Sequence, residues 1–309
     1  PVRKEFRLWD TGKPWPMLSL GKAVVEHYGY PYLTVYRPDL HQSLADRVRE
    51  LKPDAIHLGC GVAGCEQDGQ SATLVLRDGR RVTGDALIGA DGVRSVVRNT
   101  LWGPCDPEFS GMVAWRGLIP MEELPEHMQV SVGSTWIGPG GHAVCYPLHR
   151  SKIMNFVATI EGKTWDVPEG AAPGTAEECL NDFAGWHEDV QTMIKRSPRL
   201  IKWALMQRDP IPRWTQGRIS LLGDAAHATL PFLAQGAVHS IEDGMVLSRC
   251  LEGVDTADVA GALARYEAAR IERTSRMVRG ATANTERFHS PELATEESAE
   301  KYLQREWSS

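Results

Sequence analysis

The chain has 309 residues, 42% of them hydrophobic and 24% charged, with a formal net charge of −6. That length supports a large core and points to two domains, and the acidic balance excludes a global attraction to nucleic acid or acidic membranes. Six cysteines (Cys60, Cys65, Cys105, Cys145, Cys179, Cys250) form no C-x-x-C pair and no His/Cys cluster at zinc spacing, so no metal site is read and the expected compartment is a reducing cytoplasm. No apolar run approaches the ~18 residues of a membrane span, and neither tandem repeats nor low-complexity tracts are visible.

The chain opens in a strand-like run, Arg3-Lys4-Glu5-Phe6-Arg7-Leu8-Trp9. A strand at Leu33-Thr34-Val35-Tyr36 leads through Arg37 and Pro38 into a helix over residues 40–51, with Asp39 as its N-cap. A short strand over residues 55–58 precedes Gly59-Cys60-Gly61-Val62-Ala63-Gly64, which fits G-x-G-x-x-G to the letter. A dinucleotide site needs a helix to open there and an acidic ribose partner ~20 residues on. Residues 65–70 are turn-rich instead, and residues 71–82 read as a hairpin about Asp78-Gly79, so the motif is read as a strand connection. A further strand over residues 85–90 runs straight into Asp91-Gly92-Val93-Arg94-Ser95, where Asp91 and Ser95 can cap the orphan donors of a helix start.

From residue 109 the texture changes. Strand candidates at residues 112–119, 129–133, 142–146 and 153–158 follow at hairpin spacing, with turns at residues 138–141 and 148–151. Helices over residues 175–186 and 189–195 come next. Trp165 and Trp186 in this segment are expected to be buried aromatics. His142 and Tyr146 are four apart on one strand and so share a face.

The stretch GRISLLGDAAHATLPFLAQGAVHSIEDGMVLSRCL, residues 217–251, carries the most chemistry. A strand ends abruptly at Gly223-Asp224, small residues and Pro231-Phe232 follow, and Gln235-Gly236-Ala237 opens a helix over residues 236–251. That order presents a carboxylate and a row of backbone N–H groups to a polar ligand. Val238, Ile241 and Met245 mark one apolar face of the helix. A last long helix over residues 256–280 carries Arg265, Arg270, Arg273, Arg276 and Arg279, interrupted by Glu267 and Glu272, which reads as a solvated face.

The order Gly-Asp-Ala-Ala-His, Pro231, Ala-Gln-Gly, Ile-Glu-Asp resembles the flavin-ribose signature of FAD-dependent aromatic hydroxylases, and the Asp91-Gly92 loop resembles the second motif of the same family, in the family's order. The resemblance runs from about residue 32 to residue 279 and is similar to salicylate hydroxylase, 3-hydroxybenzoate 6-hydroxylase and 6-hydroxynicotinate 3-monooxygenase. It implies an α/β fold: a glutathione-reductase-like FAD-binding domain, split in sequence, with an inserted mixed β-sheet substrate domain. The expected division is 1–108 and 206–285 for the FAD-binding domain, 109–205 for the substrate domain and 286–309 for a tail. The G-x-G-x-x-G βαβ unit expected upstream is absent from these residues, so the chain is read as N-terminally truncated.

The resemblance further implies FAD as cofactor, NADH or NADPH as co-substrate, and hydroxylation of a small aromatic through a flavin C4a-hydroperoxide. FAD would contact Arg37, Asp91, Gly92, Gly223, Asp224, Pro231, Gln235, Gly236 and Ala237. Pro231 and Phe232 would line the substrate pocket, made more apolar here by Phe232. A His/Tyr pair faces the ring in the branch similar to the 3-hydroxybenzoate and 6-hydroxynicotinate enzymes, which makes His142 and Tyr146 the catalytic candidates. Imidazole suits proton exchange near neutral pH. His227 has a counterpart in the family but also fits a packed loop histidine. Partners would be a small phenolic or N-heteroaromatic carboxylate, O2 and the nicotinamide donor, on a monomer or homodimer with no nucleic acid or membrane. Ring hydroxylation and decarboxylative hydroxylation stay open, as does a catalytically incomplete fragment or a flavin-free aromatic-binding protein. A flavin reductase or dehydrogenase of the same superfamily, acting on a non-aromatic substrate, is a third reading.

Overall fold

In a computed structural model, which describes residues 1–167 and 170–307, the strands in chain order are β1 (Arg3–Leu8), β2 (Pro14–Ser19), β3 (Val62–Gln67), β4 (Ala72–Leu76), β5 (Arg81–Gly84), β6 (Leu87–Gly89), β7 (Glu108–Pro120), β8 (Val132–Gly138), β9 (Gly141–Leu148), β10 (Ile153–Ile160), β11 (Ala171–Gly174), β12 (Leu200–Gln207), β13 (Thr215–Gln216) and β14 (Ile219–Leu221). The helices are α1 (Lys22–Tyr28), α2 (Arg37–Leu51), α3 (Val96–Trp102), α4 (Ala176–Asp182), α5 (Glu188–Arg196), α6 (Asp224–His227), α7 (Gly236–Leu251), α8 (Val259–Phe288) and α9 (Glu296–Trp307). Ser308 and Ser309, at the end of the expected tail, lie outside the described residues. No helix among the described residues is long and apolar enough to cross a membrane. The fold is mixed α/β.

Two compact units divide the chain. One comprises Pro1–Ala55, Ser110–Leu205 and Glu286–Ser309, the other Ile56–Phe109 and Met206–Thr285. This corrects the expected assignment of residues 1–108 to a single domain and of residues 286–309 to a separate tail. β1 pairs in parallel with β8 from Arg3↔Val132 to Leu8↔Ile137, which ties the first residues to the inserted sheet. The C-terminal segment joins the same unit through Trp9 Nε1, which donates to Leu293 O at 3.2 Å, and the Phe6–Trp307 ring pair at 4.9 Å.

The first unit is built on an eight-stranded sheet in the order β11-β12-β7-β10-β9-β8-β1-β2. Its strands alternate with period two. Trp115, Trp136, Ala143, Cys145, Phe156 and Ala158 face one side and form a core with Phe183, Val190, Met193 and Ile194. Thr175 caps α4 with a full capping box, its side chain and that of Glu178 each satisfying the other's backbone N–H. The opposite side of the sheet carries Arg116, His142, Val144, Tyr146, Asn155 and Val157, following the register Arg116↔Val157↔Val144 and Asn155↔Tyr146.

In the second unit β14 pairs in parallel with β6, β13 closes that small sheet, and β3-β4-β5 form another. Leu87, Val97, Trp214, Leu221, Leu263 and Tyr266 fill its core. Gly89 is required by crowding, since a Cβ there would fall 2.8 Å from Val97 Cβ and 2.9 Å from Leu221 Cδ2. The β4–β5 hairpin turns at Asp78-Gly79 as expected, with Gly79 at φ +85°.

Several local expectations change. Residues 33–36 are not a strand; Thr34 Oγ1 donates to Pro147 O at 2.7 Å and no ladder forms. α2 begins at Arg37 rather than Leu40, because Pro38 has the fixed φ that suits a first turn. Asp39 is therefore inside the helix rather than its N-cap, with its carboxylate 2.7 Å from His149 Nε2. Residues 55–58 are also irregular, and Gly59 to Gly64 lead into β3 instead of a helix, in keeping with the reading of that motif as a connection. β8 starts three residues later than expected, after a 3-10 turn at Glu126–Met128. The apolar face of α7 points outward: Val238, Ile241 and Met245 are exposed, whereas His239, Asp243 and Leu247 are the buried positions.

Candidate cofactor and substrate sites

The cofactor candidates gather in the second unit around one turn. β14 ends at Leu221, and Gly223 takes φ +64°, a left-handed conformation that glycine adopts without strain. A Cβ on Gly223 would also fall 2.9 Å from Ser240 Oγ. Asp224 then starts α6 and is exposed, its carboxylate taking no hydrogen bond among the described residues. Pro231–Leu233 form a 3-10 turn, Ala234 is left-handed at φ +54°, and Gln235 is the N-cap of α7 without a side-chain cap hydrogen bond. The first N–H groups of this sixteen-residue helix therefore remain available, with the positive end of its dipole behind them. Pro231, Ala234 and Ala237 are exposed beside them, and Phe232 is buried, its carbonyl accepting from Asn284 Nδ2 at 3.3 Å.

What holds that turn lies inside the helix. Asp243, fully buried on α7, accepts the Gly223 N–H at 3.1 Å, lies 2.5 Å from His227 Nε2, and accepts from Arg270 Nε at 2.7 Å. Arg270 also donates to Glu242 at 2.7 Å, and its Nη2 lies 3.0 Å from His239 Nδ1. Burial alone would raise the Asp243 carboxyl; the contacts with His227, Arg270 and the Gly223 N–H outweigh it and hold the pKa below the usual value. Glu242 is lowered to about 2, first by Arg273 and, against its burial, by Arg270. Arg270 is thus a buried partner of α7 and not part of the expected solvated face. His227 is packed and buried at the end of α6.

The Asp91 loop uses its carboxylate locally. Asp91 accepts from Ser95 Oγ at 2.5 Å and from the N–H groups of Val96 and Val97 at 2.7 and 3.1 Å, while Ser95 caps α3 by accepting from Arg98 N at 2.9 Å. Both carboxylate oxygens are engaged at the helix start. The open features of the loop are its backbone and Gly92, at φ +79° with nothing near its Cβ position.

The substrate candidates lie on the outer face of the large sheet in the first unit. His142 and Tyr146 share that face as their spacing predicts, but in different surroundings. His142 is 3% exposed, packed under Phe288 with ring centroids 5.3 Å apart, and its Nδ1 lies 2.6 Å from His289 Nε2. His289 Nδ1 lies 2.5 Å from Glu161 Oε1. Burial, and next the His289 ring, push His142 well below its ordinary pKa of 6.5. Both causes disfavour the charged imidazole, which bears on the proton exchange expected of this residue near neutrality. Tyr146 is half-buried, with its pKa raised by burial and opposed by the charges of Arg116 and Arg37. Arg37, expected at the cofactor, stands at the first turn of α2 within this unit and acts on Tyr146.

Asp243, Arg270, His289 and Glu161 are not among the site residues expected from the sequence. Asp243 carried a signal, its place in the Ile-Glu-Asp of the flavin-ribose signature, whereas Arg270 read as one of the charges of a solvated helix face. His289 and Glu161 gave none, being 128 residues apart and each just past an element end.

Known proteins resemble this chain along most of its length. Residues 17–281 match the family model described as FAD binding domain. The chain is 38% identical over 288 residues to a 3-amino-4-hydroxybenzoate 2-monooxygenase of Streptomyces platensis, covering 93% of this chain and 72% of that protein. It is 35% identical over 282 residues to the 6-hydroxynicotinate 3-monooxygenase of Pseudomonas fluorescens, covering 90% and 72%. A salicylate hydroxylase substrate complex superposes with a TM-score of 0.82 at 26% identity, covering 99% of this chain and 77% of that one. The chain belongs to the FAD-dependent aromatic hydroxylases, flavoprotein monooxygenases of the salicylate hydroxylase type.

Proposed function

We propose that the protein hydroxylates a small phenolic or N-heteroaromatic carboxylate in the cytoplasm, with FAD as bound cofactor, NADH or NADPH as electron donor and O2 as oxidant. The observation that carries this reading is the Gly223-Asp224 turn. It offers an unengaged, exposed carboxylate ahead of a helix N-terminus whose N–H groups no side chain caps, as a cofactor with ribose hydroxyls and an electron-accepting ring requires. The bound flavin would supply the redox chemistry, taking hydride from the nicotinamide and activating oxygen at C4a.

The chain's own residues would divide the remaining work. Asp224 would accept hydrogen bonds from the ribose. Pro231, Gln235, Gly236 and Ala237 would line the ring, where the α7 dipole favours negative charge on reduced flavin. Gly223 would allow close approach, and Asp91, Gly92 and Arg37 would supply further cofactor contacts. His142 and Tyr146 would face the substrate, the neutral imidazole as a hydrogen-bond partner and Tyr146 through its hydroxyl, on the sheet face that also carries Arg116 and Asn155. Phe232 and Pro231 would add apolar surface.

The test is the absorbance spectrum of the purified protein after incubation with FAD and desalting. Retained flavin bands that are lost in Asp224→Ala support the reading. Equal retention by the two proteins contradicts the role given to the turn.

A further inference from the structure

The outer face of the large sheet holds a cation that nothing on it neutralises. Arg116 projects from β7, in register with Val157 of β10 and Val144 of β9, and so lies diagonal to Tyr146 across two strands. Its side chain is largely withdrawn from water, and Nε is buried with no hydrogen-bond partner. Among the described residues it makes no ion pair. Burial pushes its pKa down, and a second cation, Arg37, adds to that effect. Its Cζ lies 5.3 Å from the centroid of the Trp203 ring, which is 40% exposed and gives the guanidinium an aromatic wall without cancelling its charge.

A half-buried guanidinium with no anion is costly, since desolvation is not repaid. Arginine cannot shed its proton to escape that cost. Around it stand a second arginine, a tyrosine whose hydroxyl makes no hydrogen bond among the described residues, and an open ring. Three hydrogen-bonding groups without partners and a surplus of positive charge on one sheet face fit a planar, anionic, aromatic ligand. The fork of a guanidinium matches a carboxylate with two parallel N–H···O bonds.

We propose that Arg116 is the carboxylate-binding residue of the substrate site and selects aromatic acids over neutral phenols. This deepens, and rests on, the reading of the chain as a hydroxylase of small aromatics. Trp203 stacks on the guanidinium and keeps its fork turned to the open face, and Tyr146 donates its hydroxyl hydrogen to the same anion. Arg37 adds attraction without a fixed bond.

The experiment measures equilibrium binding of 3-hydroxybenzoate and of phenol to the FAD-supplemented chain, by quenching of tryptophan emission. Arg116→Met and Arg116→Lys are compared with the unaltered protein, and turnover of the same two compounds is followed in parallel. Flavin retention and circular dichroism report whether each variant is folded. Arg116→Met should weaken 3-hydroxybenzoate by roughly 10- to 100-fold, the range for a lost charge-assisted pair, and leave phenol unchanged. Arg116→Lys should recover part of the acid affinity, as a point charge without the fork. Equal losses for acid and phenol, or an unaltered protein that does not prefer the acid, overturn the proposal. Arg116-dependent acid binding with no hydroxylated product upholds the anchor and contradicts the proposed activity, so the two failures are told apart.

Discussion

Asp243 Oδ2 accepts the backbone N–H of Gly223 at 3.1 Å, so the buried face of α7 holds the turn that presents Asp224. The same carboxylate meets His227 and Arg270, and the position of an exposed acid at the candidate cofactor site is thereby set by a buried ionic cluster behind it.

Asp243→Ala removes the shared acceptor and leaves the Arg270 guanidinium buried without its closest carboxylate. Breaking a buried pair in this way costs about 3–5 kcal/mol. Urea unfolding should show that loss, together with reduced FAD retention. A midpoint within error of the unaltered protein would mean the cluster does not hold the turn.

Gly223→Ala puts a Cβ at φ +64° and 2.9 Å from Ser240 Oγ. A non-glycine residue held in this strained region costs about 1–3 kcal/mol, so the thermal midpoint should drop and flavin retention should fall with it. Combining Gly223→Ala with Ser240→Gly relieves the contact but not the φ strain, and should restore only part of the stability.

Cofactor and substrate roles separate by variant. Asp224→Ala should lose FAD on desalting, whereas His142→Ala should keep its flavin and slow turnover with aromatic acid by roughly ten-fold, the loss expected for one buried hydrogen-bond partner of about 0.5–1.5 kcal/mol. Measured flavin-to-protein ratios and steady-state rates check both. Equal flavin loss in the two variants would contradict the division.

Stability should fall with acidification in two windows. His142, His289 and His239 all lie below their ordinary value of 6.5, in each case with burial as the largest cause. The unfolded chain therefore takes up protons first as pH drops below 6.5, and the stability held above that value is lost progressively, at up to about 1.4 kcal/mol per pH unit for each group. Glu242, lowered from 4.5 to about 2, loses its contribution later, as pH falls from 4.5 toward 2. Unfolding midpoints from pH 7.5 down to pH 5 should decline less steeply in His142→Phe. Identical slopes would show that His142 titrates alike in both states.

Much of this was legible in the sequence because it was local. The Gly223-Asp224 turn, the start of α7 at Gly236, the Asp91 and Ser95 caps and the shared face of His142 and Tyr146 all follow from chemistry within a few residues. The turn-rich residues after Gly59-Cys60-Gly61 were enough to set that motif aside. What the sequence hid was set by distant neighbours. α7 reads as amphipathic from Val238, Ile241 and Met245, yet its buried stripe is His239, Asp243 and Leu247, because Arg270 from α8 pairs there. The placement of β1 beside β8 depends on a register 129 residues away, and propensity carries no record of it. The low pKa of His142 comes from Phe288 and His289, which close over it from beyond α8.

Insertion of oxygen into an aromatic acid is the activity proposed for this chain with FAD. Its most direct test supplies isotopically heavy O2 with NADH, FAD and 6-hydroxynicotinate or 3-hydroxybenzoate, and weighs the product by mass spectrometry. The expected result is a hydroxylated product that carries one heavy oxygen atom and is lost in Asp224→Ala. Oxidation of NADH with heavy hydrogen peroxide as the sole labelled product for these acids would contradict it.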